Sequence, residues 1–86
     1  MANKELYIEQ EKFVLEEVAE YDGRKLYRVK NDWRISGAPM KDVREKFPEY
    51  KFDLFEPFLF NYLFEENGNL VFYGPDGEEI EPIVED

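Results

Sequence analysis

The side chains able to do chemistry are few in kind and many in number. The sequence holds 21 Asp and Glu residues, but no Cys, no His and no Thr. A thiol nucleophile and an imidazole base are therefore excluded, as is any zinc site built from Cys and His. Ser36 is the only serine, and its setting, RISGAPM, is not the strand-to-helix elbow that exposes a catalytic serine. Paired carboxylates can do acid–base work. In so acidic a chain, however, two carboxylates close together carry no information. Asp76, Glu78 and Glu79 cluster in GPDGEE, whereas a calcium loop spreads its ligands over about twelve residues. GAPMK has neither the glycine spacing nor the hydroxyl of a phosphate-binding loop. The expectation is a protein with no catalytic residue, metal or cofactor.

Charge is the stronger signal. The formal net charge is −10, and it is unevenly placed. Residues 1–46 balance, with ten basic and ten acidic side chains; residues 47–86 hold Lys51 alone against eleven acids. Within the first part, residues 22–46 are basic. Such asymmetry bears on partners and association rates rather than on fold. If residues 79–85 are extended, Glu79, Glu81 and Glu85 share one side, with Glu79 and Glu81 about 6.6 Å apart. Ile80, Pro82 and Val84 then face the other way, and Pro82 places the strand at a sheet edge. Glu65, Glu66, Asp76 and Glu78 add charge at nearby turns. Carboxylates so arrayed can occupy a cationic groove that otherwise holds a nucleic-acid backbone. Trp33, flanked by Lys30, Arg34 and Lys41, is a second candidate contact. Residues 24–46 around it could stack on and neutralise a nucleic acid, but the acidic remainder would repel phosphate.

These residues need elements to hold them. An 86-residue chain without disulfides must build its core from large side chains. Eight Phe, six Tyr and one Trp supply it. Residues 13–31 read as a β-hairpin about Asp22-Gly23, a type I′ turn signal. That register places Glu20 opposite Lys25, Val18 opposite Tyr27, and Glu17 opposite Arg28. A helix over residues 5–20 is the alternative. Residues 39–47 read as an amphipathic helix with Pro39 at its first position and Met40, Val43 and Phe47 on one face. Pro48 stops it.

The segment FDLFEPFLFNYLF, residues 52–64, is the most apolar in the chain. As a helix from Pro57 it carries a wholly apolar face at positions 54, 55, 58, 59, 62 and 63, leaving Phe60 and Phe64 on the polar side. As a strand it alternates Phe58, Phe60, Tyr62 and Phe64 against Leu59, Asn61 and Leu63. The helix is preferred, with the segment as the centre of the core. Exposure of Phe60 and Phe64 would mark an interface. Residues 69–73 read as a strand, residues 74–77 as a turn, and the remainder as a last short strand. The fold class expected is α+β: one domain over residues 1–86 with an N-terminal β-hairpin, one or two short central helices and a C-terminal strand pair.

The N-terminus lacks a basic start and apolar run, and no segment reaches the about 20 apolar residues of a membrane span. A cytoplasmic protein without a membrane partner is expected. In profile (short, acidic, rich in aromatics, without Cys or His) the chain is similar to phage-encoded inhibitors of host nucleases and defence systems, DNA mimics among them. That resemblance implies a non-catalytic inhibitor or adaptor that blocks a basic surface of a larger protein. The partner-binding candidates are Glu78, Glu79, Glu81, Glu85, Asp76, Glu65, Glu66, Trp33, Phe60 and Phe64. A homo-oligomer using an exposed aromatic patch is the alternative, and a nucleic-acid binder through residues 24–46 is a third.

Overall fold

A computed structural model describes residues 3–8, 10–32, 35, 37–73, 79–80 and 83–85. Among these residues, seven strands and two short helices follow in the order β1 (Asn3–Ile8), β2 (Glu11–Tyr21), β3 (Arg24–Lys30), α1 (Met40–Lys46), α2 (Glu56–Leu59), β4 (Phe60–Glu66), β5 (Asn69–Tyr73), β6 (Glu79–Ile80) and β7 (Ile83–Glu85). All pairings among the described residues are antiparallel, and the sheet runs β6-β5-β4-β3-β2-β1-β7. This is a small α+β domain built on a curled sheet of five longer strands, β1–β5. β6 and β7 stand two residues apart in the chain, yet β6 pairs with β5 and β7 with β1. The curl is thus deep enough for one C-terminal stretch to meet both margins of the sheet. No helix among the described residues is long and apolar enough to cross a membrane.

Strand alternation sorts the apolar side chains onto two faces. Leu6, Phe13, Leu15, Tyr27, Val29, Ile35, Leu63 and Leu70 fill the concave side. At one end of that side Lys4 of β1 reaches Glu65 of β4 and lies over the Tyr27 ring, while Lys25 lies 3.7 Å from Glu17. Four charges of alternating sign therefore gather at that end of the sheet. The convex side carries Leu26, Tyr62 and Phe64, covered by Ala38 and by Val43 and Phe47 from α1 and its end. Phe47 stacks on Phe64 with centroids 5.7 Å apart.

The hairpin about Asp22-Gly23 forms, with φ of 53° and 78° at those residues, and Glu20 does face Lys25. Beyond Ala19 the register slips by one. Tyr27 faces Glu17, not Val18, and Arg28 faces Glu16, not Glu17. A bulge at Val18 takes up the extra residue, which a simple turn-centred count does not anticipate. It allows Arg28 to grip Glu16 at 2.8 Å. The hairpin also gains a strand, because residues 3–8 pair with β2 instead of joining a helix over residues 5–20.

The central helix forms almost as expected, although Pro39 is its N-cap, with ψ of 141°, rather than its first helical residue. Val43 and Phe47 are buried, with Met40 packed against them. The preferred helix over the second half of residues 52–64 is not what forms. Only Glu56–Leu59 are helical, and Phe60–Glu66 is a strand. Asn67-Gly68, with φ of 54° and 82°, makes a tight turn into β5 instead of ending a helix. The β-forming tendency of Phe and Tyr, together with backbone pairing to β3, outweighs the helical periodicity. Nor is the segment the core as a whole: Tyr62, Leu63 and Phe64 are buried, while Leu54, Phe55, Phe58 and Leu59 are exposed.

An irregular stretch braces the start of β4. The Ala38 N–H donates to the Tyr62 carbonyl at 2.5 Å, and Asn61 Nδ2 donates to the Ile35 carbonyl at 3.0 Å. Gly37 lies so close that a Cβ there would sit 2.5 Å from Tyr62 N. Glycine is required by this approach of two backbones.

Candidate interaction surface

The turn at residues 53–59 is built by local hydrogen bonds. Asp53 Oδ1 accepts from the Phe55 N–H at 2.9 Å, and the Asp53 carbonyl accepts from the Glu56 N–H at 3.2 Å. This is the side-chain-to-backbone closure at which Asp excels. The Phe58 N–H then donates to the Phe55 carbonyl at 3.0 Å, and the Phe60 N–H to the Glu56 carbonyl. Pro57 falls in the first helical turn, where a missing N–H costs nothing. At the far end the Asn31 N–H donates to the Leu59 carbonyl at 2.7 Å, tying the turn to the end of β3.

Glu56 locks the turn onto the sheet. Its Oε2 accepts from the Tyr62 hydroxyl at 2.5 Å and from the Tyr50 hydroxyl at 2.9 Å. Its Oε1 lies 3.3 Å from Arg28 Nη1. Arg28 in turn sits over the Phe60 ring, 4.5 Å from its centroid, and holds Glu16. Tyr50, Phe52 and Tyr62 meet edge to face, with centroids 4.6–6.4 Å apart. Burial, and then the hydrogen bond to Glu56, push the Tyr62 phenol far above its ordinary pKa; the same two causes raise Tyr50. Both phenols are therefore neutral hydrogen-bond donors at physiological pH, and neither is a poised base.

With its one inward carboxylate satisfied, the turn directs its apolar side chains outward. Leu54 is 79% exposed, Phe58 76%, Phe55 62% and Leu59 52%. No family model, no curated protein and no solved structure matches the chain. The chemistry of the surface must therefore speak for itself. Four large apolar groups held outward within six residues form a patch of the kind that marks an interaction site. Burying one such side chain fully is worth about 1.5–3 kcal/mol before the cost of association.

Of the residues expected from the sequence to bind a partner, those described lie elsewhere. Phe64 is completely buried against Phe47, and Phe60 is half-buried beneath Arg28, so neither supplies the expected exposed aromatic face. Glu65 is engaged by Lys4, and Glu66 by Lys46 at 2.9 Å. Glu79 opens β6 and Glu85 closes β7, alongside β5 and β1 respectively, rather than lying on one common edge strand. Trp33, Asp76, Glu78 and Glu81 lie outside the described residues. The exposed quartet and its Glu56 anchor were missed by the sequence reading. The available signal was Asp53 and Pro57 bracketing LFE: two turn formers four residues apart leave little room for a long helix. Nothing in the sequence marked Glu56 among the other acids.

Proposed function

We propose that the protein is a non-catalytic binding protein of the cytoplasm, an inhibitor or adaptor that docks on a larger protein with a basic surface. The observation that carries this reading is the outward quartet Leu54, Phe55, Phe58 and Leu59 on a turn fixed by Glu56. Rigid apolar anchors are what interface hot spots are made of, because little conformational freedom is lost on docking. The net charge of −10 supplies the second half of the argument. It would steer the chain towards a cationic surface and away from nucleic acid. The partner is then a protein with an apolar pocket set among Lys and Arg. The acidic C-terminal residues Glu78, Glu79, Glu81 and Glu85 are proposed as auxiliary contacts, in the manner of a phage-type anti-defence protein or DNA mimic.

The test is affinity capture from lysate at low and high salt with three proteins. These are wild type, the pair Leu54→Ser and Phe58→Ser, and a charge reversal at the four C-terminal glutamates. Wild type should retain a basic partner that weakens with salt, and the serine pair should lose it. Capture that both variants leave unchanged would end this reading. A homo-oligomer through the same patch is the second reading, favoured by the size of that patch alone. Its mark would be a sedimentation coefficient that rises with concentration in wild type and not in the serine pair.

A further inference from the structure

A second feature lies at the other end of the loop that carries the quartet. β2 is 11 residues long, but its pairing with β1 reaches only to Asn3↔Glu16. Among the described residues, positions 17 and 19–21 are paired on the β3 side alone, and Val18 is the bulge. Beside this half-paired length runs a groove of about 390 Å³, lined by residues 18–21 of β2 and by Phe47, Glu49, Tyr50 and Lys51. Its apolar lining is Val18, Ala19, Phe47 and Tyr50; its carboxylates are Glu20 and Glu49.

We infer that this groove takes an extended, basic peptide segment of a partner, added as a strand along residues 19–21 of β2. Each observation asks for a property of that occupant. The half-paired strand offers backbone donors and acceptors that only another extended backbone matches in spacing. The apolar floor takes the side chains of one face of such a strand, which repeat every second residue. The two carboxylates against one lysine select a cationic side chain, as does the chain as a whole. The volume suits three or four residues, about 10–13 Å of strand at about 3.3 Å each. Tyr50 lines the groove and also donates to Glu56, so the groove and the exposed turn share one support. This inference deepens the binding reading, and its test does not pass through the quartet.

The probe is an acetylated and amidated pentapeptide alternating lysine and valine, titrated into isotope-labelled protein and followed through backbone amide resonances. Shifts are expected at residues 19–21 and 47–51. The corresponding glutamate–valine peptide should bind at least tenfold more weakly. A lysine–valine peptide N-methylated on the edge that would pair should lose tenfold or more. Glu20→Lys with Glu49→Lys should weaken the lysine peptide tenfold, while Leu54→Ser with Phe58→Ser should leave it unchanged. Shifts confined to other strands, equal binding of the acidic peptide, or full binding of the N-methylated peptide would each overturn the inference. Peptide binding that survives in the serine pair, beside a lost lysate partner, separates this site from the apolar one. Peptide binding lost in the serine pair would merge the two and refute the groove as a site of its own.

Discussion

Replacing Glu56 by alanine removes the acceptor from two tyrosine hydroxyls at once. Tyr62 is 1% exposed, so its hydroxyl has no route to water when the carboxylate goes. A buried donor left unsatisfied costs about 1–3 kcal/mol. Tyr50 is half-buried and can turn towards solvent, so it adds less. The contact to Arg28 is a partly exposed ion pair at 3.3 Å, worth about 0–1 kcal/mol, and Arg28 keeps Glu16 in any case. Together Glu56→Ala should destabilise the domain by about 2–4 kcal/mol. That is a large share of the margin of a small domain. Glu56→Gln keeps one acceptor oxygen and should lose about 1 kcal/mol less. Urea denaturation near neutral pH, followed by far-ultraviolet circular dichroism, measures all of these. The decisive control adds Tyr62→Phe. In the Glu56→Ala background it removes the orphaned hydroxyl, so the double variant should be more stable than the summed single effects by about 1 kcal/mol. A loss below about 0.5 kcal/mol for Glu56→Ala, or strict additivity, would refute the account of Glu56 as the anchor of the turn.

Gly37→Ala should cost about 1–3 kcal/mol, because the new Cβ meets the backbone of Tyr62 rather than a side chain that can yield; loss of hydrogen-exchange protection at Ala38 is the local readout. Alkaline pH should destabilise the protein. Burial and Glu56 raise the folded-state pKa of Tyr62 above its ordinary 10.0, so the folded state keeps a proton that the unfolded chain releases. That contribution is intact below about pH 10 and falls by about 1.4 kcal/mol per pH unit above it, and denaturation of Tyr62→Phe at about pH 9 and 11 should show a correspondingly shallower decline. Leu54→Ser and Phe58→Ser should each change stability by no more than about 0.5 kcal/mol, since the native fold buries little of either side chain; a larger loss in urea would mean that these residues serve the fold.

What the sequence revealed, and what it hid, divides along local and non-local lines. The turn at Asp22-Gly23, the helix with Val43 and Phe47 inward, and the strand over residues 69–73 all rest on short-range chemistry, and all were legible. The bulge at Val18 was not, because it depends on how the sheet bends rather than on the turn itself. β1 was hidden because LYI within a charged stretch suits a helix as well as a strand. In residues 52–64 both periodicities were present. The helical pattern is realised only over Glu56–Leu59 and the strand face at 60, 62 and 64 in β4, with the change at Phe60. Which apolar side chains would be left outside could not follow from pattern alone, because Glu56 finds its partners in Arg28, Tyr50 and Tyr62, and only the folded sheet brings those three together.

Sheet closure by the C-terminal stretch also has a kinetic side. Most of the described strand pairings join elements close in sequence, across turns such as Asp22-Gly23 and Asn67-Gly68. The pairing of residues 5–7 with 83–85 spans almost the whole chain. Contacts of such separation form late, because the loop entropy must be spent before they repay it. A nascent chain can raise its hairpins as it emerges, but the outer edge of β1 stays bare until residue 85 is free of the ribosome. Bare edges are where strands of different molecules meet. Glu5, ion-paired with Lys12 of the neighbouring strand at 3.1 Å, lies on that edge, and Glu85 stands opposite it in register.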